Sequence, residues 1–342
     1  MSTKYAFWNN KGGTGKTSLA FQAIARFAEK YPSKRVLAID ICPQANLSEL
    51  MLGGLNYKGS EKLLERHGLV PRCSLGGYFQ LRLPSPYTAP TFNAHDFITK
   101  PSAYNKGIPE NIHLVCGDPL LELQANAVNT LANQNIPGTN VWIAVIDWLK
   151  NFLDQVESEY DAVFMDCNPS FSLYTQIALA TTDRIVLPVM ADDSSRRALQ
   201  NAFSLIYGLK LPSEIYASYA FATKLKAAGR TLPKVHLIAK NRITQYMGSA
   251  SAYSAVLAAI QGDIESLLET HPEIFSFDND EAGAGFVEIR DFQTTGVIAF
   301  AKGLPFSKVQ AGKQSLVGHR VQVKQEYLTN SINALENLVM HL

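Results

Sequence analysis

The chain has 342 residues, 46% hydrophobic and 18% charged, with 31 Lys and Arg against 30 Asp and Glu for a formal charge of +1. That is apolar material enough for one large α/β domain or two smaller ones, and too balanced a charge for the whole molecule to act as a polycation, so contact with nucleic acid would need a local patch. Cys42, Cys73, Cys116 and Cys167 are far apart and form no C-x-x-C pair, which excludes a zinc spacing or a dense disulfide framework and fits a reducing cytoplasm.

In chain order, Lys4 to Trp8 reads as a strand that leads into a Gly-rich turn. Thr17 to Lys30 then repeats apolar residues at helical spacing (Ala20, Ala23, Ile24, Phe27) before Pro32. Between Tyr57 and Pro109 the regularity fails, and six of the sixteen prolines lie there, so an ordered surface excursion is expected in place of a second core. "KRVLAIDI", "NIHLVCG", "YDAVFMD", "DRIVLPVM" and "KVHLIAK" are short Val/Ile/Leu-rich runs, the pattern of strands covered on both faces. Ile243 to Thr270 and Asp291 to Lys302 read as helices, followed by a closing helix near Val321 to Leu342 whose Leu328, Ile332, Leu335, Val339 and Leu342 form one stripe. The expected fold is a single α/β domain over 1–342 in three layers, a mostly parallel sheet flanked by helices, with an insertion at about 57–109 and a helical C-terminal region at about 291–342. No apolar run reaches the roughly 18 residues of a membrane span, and no leader precedes the first strand, so neither export nor a membrane partner is expected.

The strongest signal is "NKGGTGKTS", residues 10–18. Gly12, Gly13 and Gly15 let backbone N–H groups, including that of Thr14, converge on phosphate oxygens at a helix N-terminus. Lys16 suits the β- and γ-phosphates, and the hydroxyl of Thr17, followed by Ser18, suits Mg2+. Asp40 and Asp166 each end a strand at the sheet edge where open α/β folds place ligands, and each is suited to Mg2+ or its waters. Lys11 is a second cation, on the far side of the loop from Lys16.

Together, "KGGTGKTS", "VLAIDICPQANLS" and "DAVFMDCNPSFS" resemble the ParA/MinD group of deviant Walker A ATPases. The resemblance covers most of the chain and implies the three-layer P-loop NTPase fold, ATP and Mg2+ as cofactors, and slow, partner-stimulated ATP hydrolysis. It also implies an ATP-bound homodimer in which Lys11 contacts the triphosphate of the facing subunit, and a catalytic set of Lys11, Lys16 and Asp40. By the same resemblance, Asp166 in the switch II segment would bind magnesium through its waters, and Asn241, after "LIAK", would read adenine through its paired donor and acceptor. No N-K-x-D guanine motif occurs. The family writes D-x-D-P-Q where this chain has Asp40-Ile41-Cys42-Pro43-Gln44, and a neutral thiol at the second acidic position is a poor acceptor for the hydrolytic water, so slow intrinsic turnover is expected.

In "ADDSSRRALQ", Ser194 or Ser195 is the expected helix cap, and Arg196 and Arg197 oppose the helix dipole, which points to an anionic partner or a solvated face. Lys302, Lys308, Lys313, Arg320 and Lys324 are candidates for non-specific DNA contact. The implied role is segregation or positioning of plasmid, chromosome or other cargo from the cytoplasm and nucleoid, with a ParB-type adaptor. The alternatives are a MinD-like membrane switch, for which the last fifteen residues lack Lys and Arg, and a NifH-type reductase or carrier, for which paired cysteines are lacking.

Overall fold

Strands that are apolar along their whole length must be covered on both faces, and the sheet is built accordingly. Its strands are β1 (Thr3–Phe7), β2 (Val36–Ile41), β3 (Ile98–Thr99), β4 (Ile112–Val115), β5 (Ala162–Cys167), β6 (Arg184–Val189), β7 (Lys234–Ile243) and β8 (Phe286–Arg290). They lie in the order β3-β4-β2-β5-β1-β6-β7-β8, parallel throughout except for β3 against β4. The computed structural model describes every residue except 1, 244–251, 278–282, 284 and 317.

Every residue of β2 and β5 is buried. One core, which includes Trp8, Tyr78, Trp148, Phe152 and Leu179, packs against one face. A second core, which includes Phe7, Phe21, Ile24, Phe164 and Leu338, packs against the other. The helix Lys16–Lys30 that follows β1 turns Leu19, Ile24 and Phe27 onto this second core. Each such side chain contributes about 1.5–3 kcal/mol by leaving water. The helix therefore stays in place when the loop at its N-terminus takes up a charge.

The five apolar runs are β2, β4, β5, β6 and β7. The Tyr57–Pro109 segment departs from expectation. It holds the helices Gly59–His67 and Leu75–Arg82 and the antiparallel edge strand β3, and its Tyr78, Phe79 and Phe97 are buried in the first core. These three rings are thus structural filling, with that of Tyr78 5.2 Å from the ring of Phe152.

The C-terminal third is also corrected in detail. Ile243 ends β7, 244–251 lie outside the described residues, and the helix there is Ala252–Thr270. The next helix starts at Gln293, and the closing helix is Gln325–Met340. Val321 instead lies in a hairpin of β9 (Gly312–Leu316) and β10 (His319–Val323) that the helical reading of 291–342 passed over. In the closing helix Leu328, Leu335 and Val339 are buried in the second core, and Ile332 and Leu342 pack on it half-buried. Among the described residues no helix is long and apolar enough to cross a membrane.

Candidate functional site

The loop after β1 emerges at the middle of the sheet, between β5 and β6. Gly13 and Gly15 have φ of 75° and 80°, a left-handed backbone that any side chain strains. Gly15 is also the N-cap of Lys16–Lys30, with no side chain capping it, so the first amides of that helix face the loop unclaimed. Lys16 is buried, and its Nζ donates to the Lys11 carbonyl at 2.8 Å, folded back across the loop's concavity. Burial pushes its pKa below the ordinary lysine range, and Asp166 opposes the shift.

Sheet register sets the two acids side by side, with Asp40 paired to Asp166 across β2 and β5. Their surroundings differ. Asp40 accepts from Cys42 N at 3.1 Å and from Ser48 N and Oγ at 2.9 and 2.7 Å, while Ser48 Oγ accepts from Gly117 N at 2.9 Å. It holds the turn into the helix Asn46–Leu52 as well as facing its neighbour. Asp166 is equally buried, yet neither of its oxygens makes a hydrogen bond of normal geometry. Desolvation first, then the Asp40 charge, push its carboxyl up to about 8, against the pull of Thr17 and Lys16; desolvation raises Asp40 to about 6.

A buried carboxylate without donors is destabilising unless a cation completes it. Asp166, with the Thr17 hydroxyl beside it, therefore fits the hard, oxygen-seeking Mg2+. The Cys42 thiol is buried, donates to Gln44 Oε1 at 2.7 Å, and is pushed up to about 12 by desolvation and by Asp40. It is neutral at any ordinary pH.

Lys11 is held within its own chain. Its Nζ lies 2.7 Å from both carboxylate oxygens of Asp192 and 3.1 Å from Ser195 Oγ. Asp192, not Ser194 or Ser195, is the N-cap of the helix Asp193–Tyr207, accepting from Ser195 N. Desolvation is outweighed by the hydrogen bonds from Lys11, Ser194 and Ser195, which hold its carboxyl down at about 2. The arginines that opposed the helix dipole are answered locally, Arg196 by Asp263 at 2.8 Å and Arg197 by Asp193.

Asn241, at the end of β7, is buried and committed at both ends of its amide. Nδ2 donates to Thr14 O at 2.8 Å and Oδ1 accepts from Arg242 N at 2.9 Å. It ties β7 to the phosphate loop, and a Cβ on Gly15 would meet its Nδ2 at 2.5 Å. Beside it opens a cavity of about 530 Å³, lined by Gly15, Ser18, Arg242, Asp291, Phe292 and Phe300 among others, within the size of nucleotide and small-ligand sites.

The structure thus brings Lys11 to Ser18, Asp40, Asp166 and Asn241 to one end of the sheet. Sequence reasoning missed Asp192, Arg242 and Trp8. Trp8 Nε1 donates to Asn168 O at 3.0 Å, its ring packs 5.6 Å from Phe171, and Phe171 lies 5.6 Å from Phe221. A tryptophan directly before the loop was the available signal.

A family model described as an AAA domain, AAA_31, matches residues 2–212. The sporulation initiation inhibitor protein Soj of Bacillus subtilis is 28% identical over 193 residues, which is 56% of this chain and 60% of Soj. The cell division protein PomZ of Myxococcus xanthus is 30% identical over 207 residues, 60% of this chain and 51% of PomZ. The chain spans about half the length of the curated relatives it matches, 48% for an uncharacterized protein of Mycobacterium tuberculosis. Among solved structures, an ATP complex of Cyanothece McdA has a TM-score of 0.60 at 14% identity, covering 98% of this chain and 96% of McdA. A putative plasmid partition protein of Borrelia burgdorferi bound to AMPPNP has a TM-score of 0.55 at 14% identity, with both chains covered completely. At these identities the two likenesses concern the fold.

Proposed function

The chain belongs to the AAA_31 family of ParA/MinD-like ATPases, and from that membership we propose that it is an ATP-dependent dimerisation switch that binds DNA without sequence preference and positions cargo upon it. One observation carries the reading: the loop offers two lysines with separate surroundings, Lys16 buried in the loop and Lys11 on its rim, held only by groups that a competing anion can replace. Lys16 and the loop amides bind the β- and γ-phosphates. Thr17 and Asp166, with Asp40 paired beside Asp166, would hold Mg2+, which would supply neutralisation of charge on the transferring phosphoryl group. Lys11 exchanges Asp192 for the triphosphate of the facing subunit and closes the pair.

Hydrolysis in the closed pair is slow because the Cys42 thiol already donates to Gln44 and cannot accept a proton from water. Cys42→Asp is expected to raise steady-state phosphate release about 100-fold, the lower end of what a positioned acceptor contributes. Turnover at or below that of the unaltered chain would show that the water is oriented elsewhere.

DNA contact is assigned to Lys302, Lys308, Lys313, Arg320 and Lys324, on and around the β9–β10 hairpin. Among the described residues none of the five lies in an ion pair, whereas Arg26, Arg35, Arg196 and Arg197 all do. Lys313 and Arg320 share the outward face, exposed beside Ser315 and Gln322 with no acid among them. Retention of the chain on random-sequence duplex DNA is expected with ATP and not with ADP, and to weaken linearly in log salt. Replacing both Lys313 and Arg320 by Ala should reduce that slope by about two. Retention that ignores the nucleotide would overturn the switch; an unchanged slope would move the patch.

A further inference from the structure

Asn241 gives one amide N–H to Thr14 O and accepts from Arg242 N, which fixes its amide in place and leaves the face of a bound base to another group. Arg242 is the residue set up for it. Its φ of 59° is a left-handed backbone that a residue with a Cβ seldom adopts, and the pairing of β7 with β8 breaks register between Lys240 and Ile243, at this residue. Breaks of this kind re-aim a side chain, and strain of this kind gathers where a ligand is held.

The aim is into the 530 Å³ cavity. Arg242 is exposed on its wall, its Nε lies within 4.0 Å of where a Cβ on Gly15 would stand, and among the described residues no carboxylate pairs with it. The same cavity offers the apolar surfaces of Phe292, Val297 and Phe300 and adjoins the phosphate loop through Gly15 and Ser18. A planar, weakly hydrated cation beside apolar walls and next to a phosphate site matches the face of a purine.

We infer that Arg242 covers the nucleobase of the bound nucleotide, stacking its guanidinium on the purine, and so acts as a positioning residue for ATP. The inference rests on the nucleotide reading given above. Titration calorimetry with ATP and with inorganic tripolyphosphate, both with Mg2+, separates the two. Arg242→Gly and Arg242→Ala are expected to weaken ATP about tenfold and leave tripolyphosphate unchanged, with Arg242→Lys restoring only part because it keeps the charge without the plane. Arg242→Gly, which suits a φ of 59°, should melt no lower than the unaltered chain, so its loss of ATP cannot be put down to misfolding. Unchanged ATP affinity in Arg242→Gly, or an equal loss for both ligands, overturns the inference and leaves the nucleotide reading standing. An unaltered chain that binds neither ligand overturns both.

Discussion

Asp166→Asn is expected to melt higher than the unaltered chain when no nucleotide is present, and to hydrolyse ATP at least about 100-fold more slowly. Both effects come from one carboxyl group. Asp166 is fully buried with no hydrogen bond of normal geometry on either oxygen, and its carboxyl is pushed up to about 8. A folded-state value above the unfolded one means that the protonated group contributes stability, fully present below the ordinary carboxylate range and lost as pH rises through about 8. The nucleotide-free chain should therefore lose melting temperature between about pH 5 and 8, the upper part of that window, and Asp166→Asn should flatten the decline. Mg2+ with ATP should flatten it too, by giving the ionised group its cation. Differential scanning calorimetry across that range, with and without Mg2+ and ATP, reads all four conditions. A lower-melting Asp166→Asn chain would mean that the carboxylate is satisfied in the resting protein, and the magnesium assignment would fall with it.

If the proposed switch operates, the unaltered chain should pair at saturating non-hydrolysable triphosphate and Lys11→Ala should stay monomeric. Asp192→Asn should do the reverse, pairing at lower nucleotide concentration. The ammonium sits 2.7 Å from each Asp192 oxygen, so the chain supplies an internal anion that, in the proposed switch, a facing triphosphate would displace. Asn at 192 keeps an oxygen to accept from Ser195 N, and so keeps the cap of Asp193–Tyr207 while removing the charge that competes for Lys11. Sedimentation velocity over a nucleotide series measures both variants. If Lys11→Ala still pairs, the ammonium does not cross between subunits. If Asp192→Asn pairs no more readily, the internal contact does not restrain it.

The central strands and the loop were legible in the sequence because burial on both faces writes continuous apolar runs and because phosphate binding demands glycines at fixed spacing. The edge of the sheet was less so. The strand β3 is two residues long, and β9 and β10 mix Lys, Gln and His with few apolar residues, because the hairpin rests on the domain by one face only. Asp192 lies 181 positions from Lys11, a separation that no local pattern encodes. The sequence pointed to Ser194 or Ser195 as the cap, whereas the extended backbone of Asp192, φ −142° and ψ 154°, gives that role to Asp192. For Asn241 the position at the sheet edge was readable, while the partners of its amide follow from how β7 meets the loop.

The indole of Trp8 joins the strand that carries the phosphate loop to the backbone of Asn168 and the ring of Phe171. A displacement of the 167–171 segment must change either the hydrogen bond on that indole or the ring beside it, and both alter its emission. The protein therefore carries an intrinsic optical gauge of its own conformational state, which a Trp142→Phe, Trp148→Phe background would isolate without any attached dye.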